Sequence, residues 1–472
     1  MESYETRAEH GTWRLVGADA TVPLVDGARR RYVNLDFAAS TPALEEAARA
    51  IEAMLPWYSS VHRGAGLKSR ICTAAYEGAR SEVHAFFNAR ADDTVIFTRN
   101  TTDAINLLAY ALPPETKVVA SAVDHHANML PWRRHRVTYL PVPESPAAHL
   151  AALDSALSDV ARGDPSLVAV SGASNVTGEI WPLREIVERA HAAGARVLVD
   201  AAQLAPHYPI DMQALGVDYL AMSGHKMYAP FGAGALVGRP DWLEEREPFL
   251  RGGGAVQFVT LDDVEWKDVP DRQEAGSPNI LGAIALGAVC RALGSGGMRA
   301  IAREEAELYQ YARERLLTIP GLELYTVWGP GHPHVGILTF NLSGYVHSLL
   351  AAILSAEYAI GVRHGCFCAH PLLLHLLKVE RAEADRIRDD LRSHSHPAIP
   401  GAVRISFGLS TTRDDVDQAV AALKEIAAHG PRWRYECDPN NGEFDPVDDG
   451  RPWPDLPVHL TREYVRHAGE SS

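Results

Sequence analysis

The sequence is poor in cysteine and contains no long apolar run. Only five cysteines, Cys72, Cys290, Cys366, Cys368 and Cys437, occur in 472 residues, an odd number that does not suit a disulfide framework. No uninterrupted apolar stretch approaches the roughly 18 residues a membrane helix requires, and ILGAIALGAV, Ile280 to Val289, is only half that length. Positive charge is not in excess either. The formal net charge of −15 disfavours binding to a phosphate backbone, which is carried by clustered Lys and Arg. The opening MESYETRAEHGTW has neither a basic n-region nor an apolar h-region. The expectation is a cytoplasmic protein with no nucleic-acid and no membrane partner. No internal repeat or low-complexity tract stands out.

What is present is length and rhythm. The chain exceeds what one core usually organises, which points to two or three domains. From about residue 94 to 240, short β-branched runs alternate with helix-period segments, the pattern of an α/β fold. The clearest strands are TVIFT (Thr94 to Thr98), KVVASA (Lys117 to Ala122), SLVAVSG (Ser166 to Gly172), RVLVDAA (Arg196 to Ala202) and VDYLAMS (Val217 to Ser223). Apolar on both faces, they read as parallel and buried. Leu183, Ile186, Val187 and Ala190 keep the i, i+3, i+4, i+7 spacing of a crossover helix, and Gly194 supplies its stop. After GSGGM (Gly294 to Met298) come a charged helix, strand candidates LELYTV and VGILTFNL, a helix through HSLLAAILSAEY, the strand AVRISFGLS and a helix after Thr412. The expected organisation is an amino-terminal segment over 1–35 packing on the small domain, a large domain over 36–295, a smaller α+β domain over 296–430, and an irregular, partly docked tail over 431–472 that keeps Trp433, Tyr435 and Trp453.

Ligands of an α/β sheet belong at the carboxyl ends of its strands. Asp200 ends RVLVD there, with Gln203 one turn later, and a carboxylate in that place is costly unless it meets a cation. Lys226 stands just past another strand end in AMSGHKMYAP, beside Ser223 and His225. Thr101 and Thr102 follow a third strand and open a helix, where hydroxyls and backbone N–H groups suit an anion. Singly, each has an ordinary explanation: a solvated lysine, a strand-end acid, a threonine N-cap. Together they supply a lysine for a Schiff base, an acid for a pyridinium nitrogen and donors for a phosphate, the layout of a pyridoxal 5'-phosphate site.

SVHRGAG (Ser60 to Gly66), TRNTTDAIN, DHHANMLPW, SNVTGEIWPL, VDAAQ, SGHKMYAPFGAGAL and EAGSPN follow one another between about Asp36 and Leu423. In that order they resemble a fold-type I pyridoxal phosphate enzyme of the class V aminotransferase group, most like the cysteine desulfurases, especially their second group. The resemblance implies a large α/β domain with a mainly parallel seven-stranded sheet and a smaller α+β carboxyl-terminal domain. It implies that Lys226 carries the cofactor covalently, Asp200 pairs with the ring nitrogen, Gln203 bonds the ring hydroxyl and His125 stacks on the ring. Thr101, Thr102, Ser223 and His225 hold the phosphate, joined by Ser277 from the partner subunit of a homodimer. Asn175 and Arg404 hold the substrate, Arg404 as a bidentate fork, and His62, Arg63 and Arg363 are assigned to the substrate side with them.

RHGCFCAHP, Arg363 to Pro371, fits the segment that carries the family's nucleophile, with Cys368 in its place and Arg363, Gly365, Ala369 and Pro371 fixing the register. Cys366 departs from the second-group pattern, which usually has histidine there, and Gly-Cys-Phe-Cys resembles molybdenum-cofactor sulfurases of the same superfamily. Three other readings compete. His364, Cys366, Cys368 and His370 alternate, so on an extended strand they would share one face, about 6.6 Å apart; four in a line cannot close a zinc tetrahedron unless the chain folds back, and no metal is expected. That spacing lies close to the upper limit for a disulfide. Inert buried thiols are the third possibility, and the polar His364 and His370 weigh against it.

The leading reading is desulfuration of L-cysteine: the Cys368 thiolate, its proton taken or its pKa lowered by His364 or His370, attacks the substrate's sulfur and keeps it as a persulfide while alanine leaves. A sulfur-acceptor protein is an expected partner. The rivals are a selenocysteine lyase, a C–S lyase acting on an S-substituted cysteine, an epimerase, and, from another class, a Cys/His metal or sulfur carrier module that has no use for Lys226, Asp200 and Gln203 together.

Overall fold

The computed structural model describes residues 13–159, 163–393, 399–452 and 454. Trp453, the first twelve residues and the tail from 455 onward lie outside them. The β-branched runs form one sheet of seven strands, ordered Thr94–Thr98, Gly234–Gly238, Tyr219–Ser223, Arg196–Asp200, Ser166–Ser171, Lys117–Ser121 and Arg136–Leu140. Gly234–Gly238 is antiparallel to both neighbours, and the remaining pairings are parallel. Val197 and Val199 enter one buried cluster and Leu198, between them, another. Both faces of the sheet are therefore covered, as an unbroken apolar run requires. Leu183, Ile186, Val187 and Ala190 are buried on the helix Leu183–Ala192.

Two strands give little sequence signal. RVTYL is exposed at alternate positions at the sheet edge, and GALVG is glycine-rich because of where it runs. A Cβ on Gly234 would lie 2.5 Å from Met222 O and 2.8 Å from Asn100 Cα, so only glycine lets this strand pass beneath the helix Thr101–Ala111.

A second, antiparallel sheet is ordered Leu322–Tyr325, Ile337–Leu342, Ala402–Ser406 and Arg363–Gly365. Its buried cluster takes side chains from the helices Met298–Leu316, His347–Tyr358 and Arg413–His429. The last of these starts at Thr412 with a capping box closed by Asp415. The apolar helix Ile280–Gly296 packs on Leu67–Phe86 and meets Met298–Leu316 at 79°. Among the described residues no single helix is long and apolar enough to cross a membrane.

Residues 13–35 touch both cores: Leu15 enters the larger cluster, Val33 and Leu35 the smaller. The described part of the tail is more regular than expected. Tyr435–Cys437 pairs antiparallel with Phe444–Pro446, and the Asp, Pro, Asn and Gly that suggest irregularity lie in the connecting turn.

Candidate active site

The Lys226 turn leaves the central strand Tyr219–Ser223 and folds back at once. Gly224 N–H donates to Ala233 O at 2.8 Å, and a Cβ on Gly224 would meet that same oxygen at 2.6 Å. From the amino-terminal part of the chain, Thr41 clamps the turn: its N–H donates to His225 O at 2.8 Å and its Oγ1 accepts from Tyr228 N–H at 2.7 Å. Lys226 is half-buried. Burial, opposed by the Asp200 carboxylate, holds its pKa down to about 8.

Asp200 ends the neighbouring strand and is buried. It accepts one bond, from Ala202 N–H at 3.0 Å, and burial raises its pKa despite that bond and the Lys226 charge. Gln203 is buried, donates from Nε2 to Ala38 O at 2.7 Å, and leaves Oε1 without a partner. His125 accepts from Ala127 N–H through Nδ1 at 3.0 Å. Burial, with Lys226, His126 and Arg404 beside it, pushes His125 down to about 3, so its ring is neutral.

At the start of the helix Thr101–Ala111, Ser223 Oγ receives Thr101 N–H at 2.8 Å and sits 2.8 Å from Thr101 Oγ1. Thr102 is exposed. The cap is Asn100, whose side chain accepts from Asp103 N–H, so both threonines are relieved of that task. His225 Nδ1 lies 3.4 Å from Ser40 Oγ.

The cysteine segment is not an extended strand. Only Arg363–Gly365 pairs, with Ala402–Ser406. Phe367 and Cys368 then both take φ of +54, left-handed backbone that is uncommon outside glycine and persists only where neighbours hold it. They do: Asn175 Nδ2 donates to Phe367 O at 2.7 Å, His126 N–H donates to Cys368 O at 2.8 Å, and Ala369 N–H closes onto Cys366 O at 3.0 Å. Arg404 is buried beneath the turn. It donates to Asn175 O at 2.8 Å and Asp36 Oδ1 at 3.2 Å, lies 5.0 Å from the Phe367 ring centroid, and keeps Nε unpartnered. Burial lowers its pKa to about 10 with Asp36 opposing, which leaves it a cation at neutral pH. Cys368 is exposed and Cys366 half-buried, both free thiols, and Cys368 is near enough to act electrostatically on both Lys226 and Arg404.

An aminotransferase class-V family model matches residues 33–419. The chain belongs to the class-V aminotransferase family. A probable cysteine desulfurase of Halalkalibacterium halodurans is 36% identical over 408 residues, covering 83% of this chain and 92% of the relative. The cysteine desulfurase of Dickeya dadantii is 36% identical over 381 residues, 78% of this chain and 85% of the relative. Among solved structures, the cysteine desulfurase CsdA of Escherichia coli superposes with a TM-score of 0.70 at 32% identity over 84% of this chain and 95% of that one. The family implies pyridoxal phosphate as cofactor and, through these relatives, cysteine as substrate.

Several of the residues read from the sequence are exposed in the single chain. His62 is exposed and binds Glu77 Oε1 through Nε2 at 2.9 Å, with its ring edge on Tyr76. Arg63 and Ser277 are exposed too, and the loop before Ser277 is tied to Tyr76 and Arg80 through Glu274. Arg363 pairs in register with Arg404 and acts on Asp36. The two histidines expected to serve the Cys368 thiol have other partners: His364 binds Glu443 and stacks on His347, and His370 stacks on His126, Nδ1 to Nε2 at 3.2 Å. The turn folds back at Phe367, so the alternation that put these side chains on one face does not persist. Thr41, Asp36 and Asp124 were missed. Asp124 is buried between strand ends, accepting from Ser121 N–H at 2.9 Å and Ser171 Oγ at 2.8 Å; its place just before the DHHAN histidines was the available signal.

Proposed function

We propose that this chain is a pyridoxal phosphate-dependent cysteine desulfurase, converting L-cysteine to L-alanine and retaining the sulfur as a persulfide on Cys368. The observation that carries this reading is the meeting of two elements: a lysine with a depressed pKa facing a buried acid, and a cysteine turn pinned above them by Asn175 and His126.

The residues fit the cofactor. Asp200 is a buried carboxylate short of donors, suited to the ring N–H, and Gln203 Oε1 is a buried acceptor left over for the ring hydroxyl. His125 would stack on the ring. Thr101, Thr102, Ser223 and His225 would hold the phosphate, with the helix start adding its N–H groups, and Lys226 would be the covalent anchor. When bound, the cofactor supplies an electron sink for the carbanion at the substrate's Cα.

The chain's own side chains do the rest. Arg404, with Asn175 alongside, binds the substrate carboxylate through its unpartnered edge. Lys226 Nζ is the base that would remove the Cα proton, and its depressed pKa keeps a usable fraction neutral near pH 8. Cys368 Sγ, as thiolate, attacks the substrate's sulfur. An S–S bond forms as the Cβ–S bond breaks, the bonding pair stays with Cβ, which takes up a proton, and Cα regains the proton held on Lys226 Nζ, so that alanine leaves. No outside oxidant is needed. The exposure of Cys368 supports delivery to an acceptor protein.

A cytoplasmic homodimer fits this reading. All five cysteines are free. Gly276 N–H donates to Gly253 O at 2.7 Å, which ties the exposed Ser277 to the hairpin Val256–Val259/Val264–Trp266, whose Phe258 and Leu261 are exposed. A second copy covering that hairpin would bring Ser277 to its phosphate site. The test is incubation of the holoenzyme with L-cysteine. Alanine with persulfide on the Cys368 peptide supports the proposal; pyruvate and ammonia without persulfide refute it in favour of elimination.

A further inference from the structure

Beyond residue 419, where the family match ends, the hairpin Tyr435–Cys437/Phe444–Pro446 is fastened to the helix His347–Tyr358 at both ends. Buried Glu357 accepts from Arg432 N–H, Trp433 N–H and Tyr435 O–H at 3.0–3.1 Å, and Ser348 Oγ donates to Gly442 O at 3.0 Å. The next residue, Glu443, reaches the strand that leads into the cysteine turn: its Oε2 lies 3.0 Å from His364 Nε2. His364 Nδ1 faces His347 Nδ1 at 3.3 Å with the rings stacked, and His347 Nε2 lies 3.2 Å from Ile399 O.

This row of contacts fixes a proton count. Ile399 O only accepts, so His347 Nε2 carries hydrogen. Two Nδ1 atoms can bond only if one of them carries hydrogen, and His364 Nε2 must either donate to a Glu443 carboxylate or accept from its protonated form. Every arrangement that satisfies all three contacts holds one proton more than two neutral imidazoles and a carboxylate. Burial raises Glu443 and lowers His364 and His347, which draws the three affinities together. The other charges facing the row are Arg363, which lowers His364, Asp36, which raises it, and Asp445, which raises Glu443.

We propose that Glu443 is a positioning residue for the cysteine turn: through a proton shared with His364 and His347 it fixes the strand that aims Cys368. Its consequence for turnover rests on the desulfurase reading above; its consequence for the order of the turn does not. As pH rises and the shared proton leaves, the Nδ1–Nδ1 contact is lost and the turn loosens.

The test compares full-length holoenzyme with Glu443→Ala and Glu443→Gln. Hydrogen–deuterium exchange across residues 363–369 is corrected for intrinsic rates, and alanine formation and Cα exchange are measured in parallel. A glutamine amide donates to His364 Nε2 and completes the row with no extra proton. Glu443→Gln should therefore keep slow exchange from roughly pH 4.5 to 7, a range that spans the ordinary carboxylate and imidazole values, while wild type loosens across it by about threefold to tenfold, the worth of one hydrogen bond. Glu443→Ala should show the loosened level already at the lower pH, with alanine formation slowed by a similar factor and Cα exchange unchanged. Exchange in Glu443→Ala equal to wild type at the lower pH, or a Glu443→Gln profile that follows wild type, overturns the proposal. If wild type makes no alanine, the exchange measurements still decide the positioning role, and it is the desulfurase reading that fails.

Discussion

Burial of Lys226 beside Asp200 gives the cofactor-free chain a pH dependence that one residue controls. A neutral amine is needed to attack the cofactor's aldehyde, and Lys226 is held down to about 8. Covalent capture should rise with pH through a midpoint near that value, read from the absorbance of the lysine-bound cofactor. Asp200 pulls the lysine upward, so Asp200→Asn should move the midpoint to lower pH even as it weakens binding; an unmoved or higher midpoint contradicts the pairing. Lys226→Ala should lose the absorbance and reduce turnover by at least about a thousandfold, with the fold intact by circular dichroism. The two cysteines divide differently. Cys368→Ser should bind cofactor and exchange the substrate's Cα proton yet form no persulfide, whereas Cys366→Ser should keep the first turnover and alter how long the persulfide survives. Persulfide found on Cys366, with turnover surviving Cys368→Ser, exchanges the roles. Lys226, Asp200 and Gln203 were legible because each follows an apolar strand, where a polar side chain has few other uses. The partners of His364 were not, since Glu443 lies far along the chain and only folding brings it near.

Elements were legible where local chemistry and tertiary place agree. Arg196–Asp200 and Leu183–Ala192 carry their own apolar period, but Gly234–Gly238 is a strand only because its neighbours make it one. The cysteine turn belongs to the same class: nothing local sets a left-handed φ at Phe367 and Cys368, and the bonds from Asn175 and His126 do. Asp124 is the equivalent tie within the large sheet, joining the end of Lys117–Ser121 to the end of Ser166–Ser171. Burial pushes it up to about 7, above the usual carboxylate value, so the folded chain holds a proton that the unfolded chain releases near pH 4. The stability this contributes is full below about pH 4 and is lost as pH rises through 7. Asp124→Asn does not titrate. The stability of the cofactor-free wild type minus that of Asp124→Asn should therefore fall from pH 4 to 7, by on the order of 1–3 kcal/mol, in denaturant titrations. A difference that is constant or grows would mean that Asp124 is ionised throughout.

At the scale of the whole molecule, the proposed shared site makes one chain two incomplete halves: a Lys226 site that lacks a partner's phosphate hydroxyl, and an exposed Ser277 beside an apolar hairpin. The motif EAGSPN marked Ser277, and its assignment to a partner subunit came from the family resemblance alone, because a twofold interface is not written in any local pattern. Two inactive variants separate the alternatives. Lys226→Ala removes the anchor, and Ser277→Asp sets a carboxylate against the phosphate. In a mixed dimer, if Ser277 acts across a twofold interface, the site with Lys226→Ala also receives the altered Ser277 and is doubly lost, while the other site keeps Lys226 and receives an unaltered Ser277. After subunit exchange of equal amounts, half the dimers are mixed and each holds one intact site, so about a quarter of the wild-type rate should return. If Ser277 serves its own chain, each site of the mixed dimer keeps one defect and no activity returns. Sedimentation should then show whether the dimer itself has formed; a monomer at micromolar concentration would remove the shared-site assignment altogether.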